Sequence, residues 1–181
     1  MSDIFVSQPI EGVPSNFESE TQNRIYGLLS QLNIDFLRVI NDPAVTMEDC
    51  KAIDRAFGEE TVKTILLTNR QKTKFYLLVI PADKPFVTKD FGAALEIPRV
   101  SFADTDLLES LLETPRGAAT PLSLIHDEDN KVSLIIDREI VSRNKIVVTD
   151  GTLHGFVCIK FSDLENKFLP ATHHIPQFIQ L

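Results

Sequence analysis

The chain has 181 residues, a net charge of −8, and 43% apolar against 24% charged residues. That is ample apolar material for one sizeable core, and it excludes a membrane helix, because no apolar run nears the roughly 18–20 residues such a helix needs. The acidic balance also argues against a broad nucleic-acid footprint, which is normally basic, while leaving room for a small contact with one end of an RNA.

Residues 1–15 read as an irregular lead-in with no basic start and no apolar stretch, so no signal peptide is expected there. Ser15-Asn16-Phe17-Glu18 has capping-box spacing, and Ile25, Leu28, Leu29 and Leu32 recur at helical spacing, which predicts a helix over about 16–32. Phe36 to Ile40 predicts a strand closed by Asn-Asp-Pro. Thr46 caps a second helix whose inner face carries Ile53, Ala56 and Phe57 and which Gly58 ends. The apolar runs at 62–68 and 75–80 flank Asn-Arg-Gln-Lys-Thr-Lys and predict a β-hairpin. A short helix follows from Thr88 to about Leu95, then a strand from Arg99 to Phe102. A leucine-striped helix (Leu107, Leu108, Leu111, Leu112) stops at Pro115. The small-sided stretch Arg-Gly-Ala-Ala-Thr-Pro, 116–121, leads into an expected strand at 122–126. Further strands are expected at 132–137, Ile146–Val148 and Phe156–Lys160. Ser162-Asp163-Leu164-Glu165 reads as a capping box opening a helix to Leu169, and the tail suits an edge strand. Strands and helices alternate without a regular βαβ rhythm. That favours an α+β fold with a mixed, mainly antiparallel sheet and packed helices, all in one domain spanning 1–181.

Few residues announce chemistry. Cys50 and Cys158 have no second Cys or His at metal-ligand spacing, so neither a zinc site nor a disulfide framework is expected, and a reducing cytoplasm is the simplest setting. P-loop, dinucleotide-fingerprint, nucleophile-elbow and His-Glu-x-x-His patterns are missing. His173-His174 lies near a helix end, where positive charge suits the dipole. His126 fits a turn, and His154 sits in the small-residue stretch Thr-Asp-Gly-Thr-Leu-His-Gly. Lys63 opens an otherwise apolar strand and can either snorkel to solvent or hold an anionic group such as phosphate. Arg70, Lys72 and Lys74, with Lys84 and Lys89 further on, form a basic cluster in an acidic chain. It reads as a solvated hairpin tip or as a small RNA contact. Gly117 marks either a plain turn or a place where backbone closely approaches a ligand.

Taken in order, several segments resemble one family. They are Pro-Ala-x-Thr-Met-Glu-Asp-Cys at 43–50, Lys63, Asn-Arg-Gln-x-Thr-x-Phe-Tyr-Leu-Leu at 69–78, Ser-Phe-Ala at 101–103, Gly117-x-x-x-Pro121, and Lys-Phe-Leu-Pro-Ala-x-His-His at 167–174. The set is similar to the YbaK/prolyl-tRNA synthetase editing-domain family, and within it to the free-standing branch called PrdX or ProXp-ala. The resemblance implies a hydrolase that acts in trans on mischarged tRNA for proline, with alanine as the amino acid removed. A Cys-tRNA deacylase and a silent tRNA- or synthetase-binding relative are the alternatives. It implies Lys63 and Gly117 in the catalytic role. Thr46, Thr64, Ala118, Ala119, Thr120, Pro121, Asn41 and His154 are the implied substrate-binding set. The implied partners are the aminoacylated acceptor end of tRNA and, second, prolyl-tRNA synthetase, with no DNA, membrane, metal or cofactor. Four places depart from the family pattern. Thr149-Asp150 stands where relatives carry His-Pro, and Leu153-His154 where they carry Asn-Thr. Asn41 stands where they tend to have His, and Thr64 where Asn is common.

Overall fold

Period-two alternation along the apolar strands sorts their side chains onto two faces, and in this fold both faces find a cover. A computed structural model describes residues 4–181, so the first three residues of the expected lead-in lie outside the described range. One sheet has the order β5-β3-β4-β6-β9, built from β3 (Val62–Asn69), β4 (Phe75–Pro81), β5 (Val100–Phe102), β6 (Val132–Asp137) and β9 (Gln177–Ile179). In it β3 pairs antiparallel with β4 and β5, while β4–β6 and β6–β9 are parallel. The second sheet, β1-β2-β8-β7, is antiparallel throughout and uses β1 (Ile10–Glu11), β2 (Phe36–Ile40), β7 (Lys145–Thr149) and β8 (Gly155–Lys160). A single parallel bridge, Thr61 to Val147, links the two.

The layers follow from the alternation. Leu77 and Val79 of β4, Leu134 and Ile136 of β6, Ile146 and Val148 of β7, and Val157 and Ile159 of β8 meet in one core between the sheets. Helix α1 (Glu20–Gln31) adds Ile25, Tyr26 and Leu29 to that core. The alternate residues of these strands face outward. Leu67, Leu78, Ile80 and Ile135 pack with Phe91 of α3 (Thr88–Leu95), and Val39, Val147 and Phe156 pack with Ile53 of α2 (Met47–Phe57). Helix α4 (Thr105–Leu112) places Leu108 and Leu112 in the central core.

Several local expectations need correction. Helix α1 starts at Glu20, capped by the Ser19 hydroxyl, which accepts from the Gln22 N–H at 3.1 Å. The Gln22 amide reaches back to the Glu18 N–H at 2.7 Å, so Ser19-x-x-Gln22 sets the boundary rather than the pair at 15 and 18. The 122–126 segment is not a strand but part of a 3₁₀ helix, Pro121–His126. Thr120 caps it, Pro121 supplies the φ of a first helical residue, and the Ser123 hydroxyl donates back to the Thr120 carbonyl at 2.6 Å. Those local signals outweigh an alternation only a few residues long. Ser162 to Glu165 does not cap a helix. The helical segment begins at Phe161, after a Lys160 without a side-chain cap, and runs through a π turn, Leu164–Phe168, to Leu169–Ala171. A one-turn helix, α5 (Arg138–Val141), and the short β1 escape the pattern reading because each is under one period long.

His126 closes the 3₁₀ helix and His174 lies just past the last helical turn, as expected, but both side chains are buried and bonded. His174 Nε2 lies 2.9 Å from Asp127 Oδ2, both side chains being buried. The Arg24 guanidinium, which can only donate, lies 2.9 Å from His126 Nδ1. Nε2 therefore carries the hydrogen and donates to Thr21 Oγ1 at 2.9 Å, whose own hydroxyl donates to the Glu113 carbonyl at 2.8 Å. This relay ties α1 to the 3₁₀ helix and to the end of α4. Burial lowers the His126 pKa below the usual 6.5, against the opposing pull of Glu113. The unfolded chain therefore takes up the proton first. The stabilisation is complete above pH 6.5 and is lost as pH falls from there toward the lowered folded value. Thermal melts between pH 7.5 and 5.5 are expected to show a falling Tm in the wild type and a flatter profile in His126→Gln. Equal slopes for the two proteins would remove His126 from the account.

Candidate active site

Along its far edge β3 has a strand partner only from Leu67 to Asn69, where β5 pairs with it. The Leu66 carbonyl still accepts the Ala103 N–H at 2.9 Å, residues 62–65 leave that edge open, and the space beside it is a cavity of about 490 Å³. Three chain segments close around it: the N-terminus of α2, the end of β5, and the loop after α4. Among the sequence-derived candidates, Thr46, Lys63, Thr64, Gly117 and Ala119 line this cavity together.

Each is placed by its element. Thr46 caps α2, accepting the Asp49 N–H at 3.2 Å, while the Asp49 carboxylate accepts the N–H groups of Thr46 at 2.9 Å and Val45 at 3.1 Å. The cap uses the Thr46 hydroxyl oxygen as acceptor and leaves its proton for another partner. Thr64 shares the face of Val62 and Leu66. Lys63 shares the opposite face with Ile65 and Leu67 and curls past the strand end, where its ammonium donates to the Lys84 carbonyl at 2.8 Å. Burial lowers the Lys63 pKa, with Asp83 opposing. The turn it reaches is clamped in place, because the Lys84 ammonium bridges the fully buried Asp137 at 2.8 Å and Glu139 at 2.7 Å. Lys63 thus neither points freely into solvent nor is neutralised by a carboxylate within ion-pair distance among the described residues.

The 116–121 loop is bent at Gly117, whose φ of +92° lies in the region L side chains avoid, and a Cβ there would stand 3.2 Å from Leu153 Cδ2. Ala118 commits its N–H to the Pro115 carbonyl at 3.0 Å and its carbonyl to the Thr149 hydroxyl at 2.7 Å. The N–H groups of Gly117 and Ala119 make no hydrogen bond within the described residues. Ala118, Thr120 and Pro121 are buried behind the loop and do not line the cavity. Asn41 and His154 also lie outside the lining. Asn41 is buried, donating from its side chain to the Leu153 carbonyl at 3.0 Å and from its backbone to the His154 carbonyl at 3.1 Å. His154 Nδ1 faces Glu18 at 2.7 Å. The departures at 41 and 153–154 are therefore one packed contact, with Leu153 against Gly117.

Asp150 is a scaffold residue. Its buried carboxylate accepts from the Gln22 amide and the Tyr26 hydroxyl, both at 2.9 Å, and from the Thr152 hydroxyl at 2.7 Å and backbone N–H at 3.2 Å. Burial, then the Asp150 charge, drives the Tyr26 phenol far above its ordinary pKa, so it stays a donor. Gly155 must be a glycine, since a Cβ there would collide with the Asp150 carboxylate. The sequence reading missed Met47, Phe102, Arg116 and Thr149 as cavity-lining residues. Phe102 and Arg116 sit in the quoted Ser-Phe-Ala and Arg-Gly-Ala-Ala stretches, so proximity to a motif was the available signal.

Residues 41–167 match the aminoacyl-tRNA editing domain family. The chain is similar to the prolyl-tRNA editing protein ProX of Acetoanaerobium sticklandii, 25% identical over 164 residues that cover 91% of this chain and 99% of that one. It is also similar to prolyl-tRNA synthetase associated domain-containing protein 1 of Danio rerio, 25% identical over 150 residues, covering 82% of this chain and 80% of that one. The crystal structure of a candidate trans-editing enzyme for prolyl tRNA synthetase superposes with a TM-score of 0.67 at 14% identity. It covers 91% of this chain and 99% of that one, a likeness of fold.

The Asp150 cluster yields a stability prediction. Asp150→Asn keeps the shape but turns an acceptor into a donor facing Gln22, Tyr26 or Thr152, and leaving such a buried group unpaired costs about 1–3 kcal/mol. Urea unfolding should show that loss, and an unchanged midpoint would mean the cluster contributes nothing net.

Proposed function

This chain belongs to the aminoacyl-tRNA editing domain family, and we propose that it works in trans as a deacylase of mischarged tRNA for proline, with alanine as the amino acid it removes. The observation that carries this reading is the convergence of Lys63 with the Gly117 loop on one cavity at an open strand edge.

The chemistry asks little of the side chains. An aminoacyl ester is already activated, so a water molecule attacks without a covalent nucleophile, aided by the neighbouring ribose hydroxyl of the substrate. The developing oxyanion needs donors that are in place beforehand, and the unpaired N–H groups of Gly117 and Ala119 are suited to it. Lys63 offers positive charge for the anionic tRNA terminus, and its tie to the Lys84 carbonyl sets the direction of its ammonium. Ala44, Gly117 and Ala119 are small lining residues, and Leu153 stands against the glycine. Such a wall favours a methyl side chain over larger ones by steric exclusion. We take the whole chain as one deacylase domain and the PrdX or ProXp-ala branch as its place. No helix among the described residues is long and apolar enough to cross a membrane, which suits work in the cytoplasm beside the tRNA pool.

One observation favours the silent-relative reading. Asp150, standing where relatives carry Pro, is wholly engaged by Gln22, Tyr26 and Thr152 and offers nothing to a substrate. Hydrolysis then rests on Lys63 and backbone groups alone.

The test is hydrolysis of labelled Ala-tRNA for proline beside Pro-, Cys- and Ser-charged versions. Ala-tRNA is expected to be cleaved preferentially. Lys63→Ala should lower the rate by about 10²-fold or more, the scale of losing one preorganised stabilising group. Gly117→Val, which puts a branched side chain against Leu153, should lower it comparably while the protein remains folded. Wild-type turnover in Lys63→Ala would sink the assignment of the site, and equal cleavage of Cys-tRNA would move the specificity to the alternative.

A further inference from the structure

A second groove on the surface lies outside the cavity. It encloses about 760 Å³ and is lined by Asn69, Arg70 and Lys74 of the hairpin tip, Tyr76 of its return strand, and Arg99 beside β5. Arg70, Lys74 and Arg99 are exposed and form no ion pair among the described residues, although the chain carries a net charge of −8. Their neighbour Lys72, by contrast, is neutralised by Asp104 at 2.9 Å. Strand β5 joins this groove to the cavity. Val100 and Ser101 line the groove, and Phe102 and Ala103 line the cavity.

Phe102 sits at that junction and is 61% exposed. A single exposed phenylalanine is ordinary, but this ring is held in place. Its centroid lies 5.7 Å from Phe86, edge to face. Phe86 lies 6.1 Å from Phe91, and Phe91 5.8 Å from Tyr76 in the groove. An aromatic ladder therefore runs beneath the surface from groove to cavity mouth and fixes an outward-facing ring between them. The three residue steps from Arg99 to Phe102 cover about 10 Å. That matches two to three nucleotides at a stacked rise of about 3.4 Å.

Building on the deacylase reading, we propose that this track seats the single-stranded 3′ end of the tRNA, with Phe102 stacking on a base near the ester and Arg70, Lys74 and Arg99 engaging phosphates upstream. An aromatic platform beside unneutralised cations is how sequence-tolerant single-strand binding works. The small area confines recognition to one end of the RNA, which reconciles it with an acidic chain.

The experiment measures binding of an uncharged, fluorescently labelled acceptor-stem hairpin with a single-stranded CCA 3′ end to the wild type and to three variants, Phe102→Ala, Phe102→Trp and the Arg70/Lys74/Arg99→Gln triple. Phe102→Ala is expected to weaken binding about tenfold, within the range for loss of one base stack, and Phe102→Trp to restore it. The triple variant should bind more weakly and lower the slope of log affinity against log salt by about 2, as loss of three single-strand phosphate contacts implies. Tm should stay unchanged in all of them. Wild-type affinity and salt slope in the triple variant and in Phe102→Ala would overturn the proposal, as would a wild type that does not bind the hairpin. Uncharged RNA separates the two readings. Binding lost in the variants of a protein that cleaves no ester supports the track and refutes the deacylase. Cleavage of Ala-tRNA with unaltered kcat/KM in the variants does the reverse.

Discussion

A carboxylate buried without a cation organises much of this protein. Asp150 lies at the end of β7, and its four donors come from α1 and from the turn that follows it. Removing a charge from water is costly unless hydrogen bonds replace its hydration, so each donor is held where it is needed. The helix is drawn onto the sheet. The turn is folded tightly enough that Gly155 has no room for a side chain, and Leu153 is delivered onto Gly117. The Thr149 hydroxyl, one residue before the carboxylate, fixes the Ala118 carbonyl. The loop that walls the cavity is thus held by Thr149, which lines the cavity, and Thr149 in turn adjoins a polar cluster around Asp150 that does not.

A second clamp works from the other side of β3. Lys84 holds the turn after β4 against Asp137 and Glu139, and that turn presents the carbonyl to which Lys63 donates. Asp137 is fully buried and Lys84 partly so, which makes this pair less screened than a fully exposed one would be. The two clamps act on separate elements, one on the glycine loop and one on the lysine, and the open edge of β3 lies between them.

Some local signals were legible in the sequence, and the long-range ones were not. The Thr46 cap and the Gly58 stop bracket α2, and the hairpin lies where the two apolar runs place it, because each depends on a few adjacent residues. The division into two sheets was not legible. It depends on how far β5 and β7 run alongside β3, which no run of residues encodes. Asp150 read as a departure from a family pattern, since its partners lie 124 and 128 residues away as well as two ahead. Five candidates converged on the cavity because the segments that carry the family resemblance are the ones that border it. Asn41, Ala118, Thr120, Pro121 and His154 lie behind or beside it, because the same motifs include residues that support the wall. Arg99 was not grouped with Arg70, as only the pairing of β5 with β3 brings them together.

The open edge of β3 has a further consequence. A strand with one side unpaired is a template on which another chain can build a sheet, and proteins usually blunt such edges. Here the blunting is done by the 116–119 loop and the start of α2, the same segments that shape the cavity. Protection from self-association and the shape of the cavity are vested in one set of residues. Selection on either property constrains the other, so a loop that loosens to widen the cavity also bares a strand edge to its neighbours.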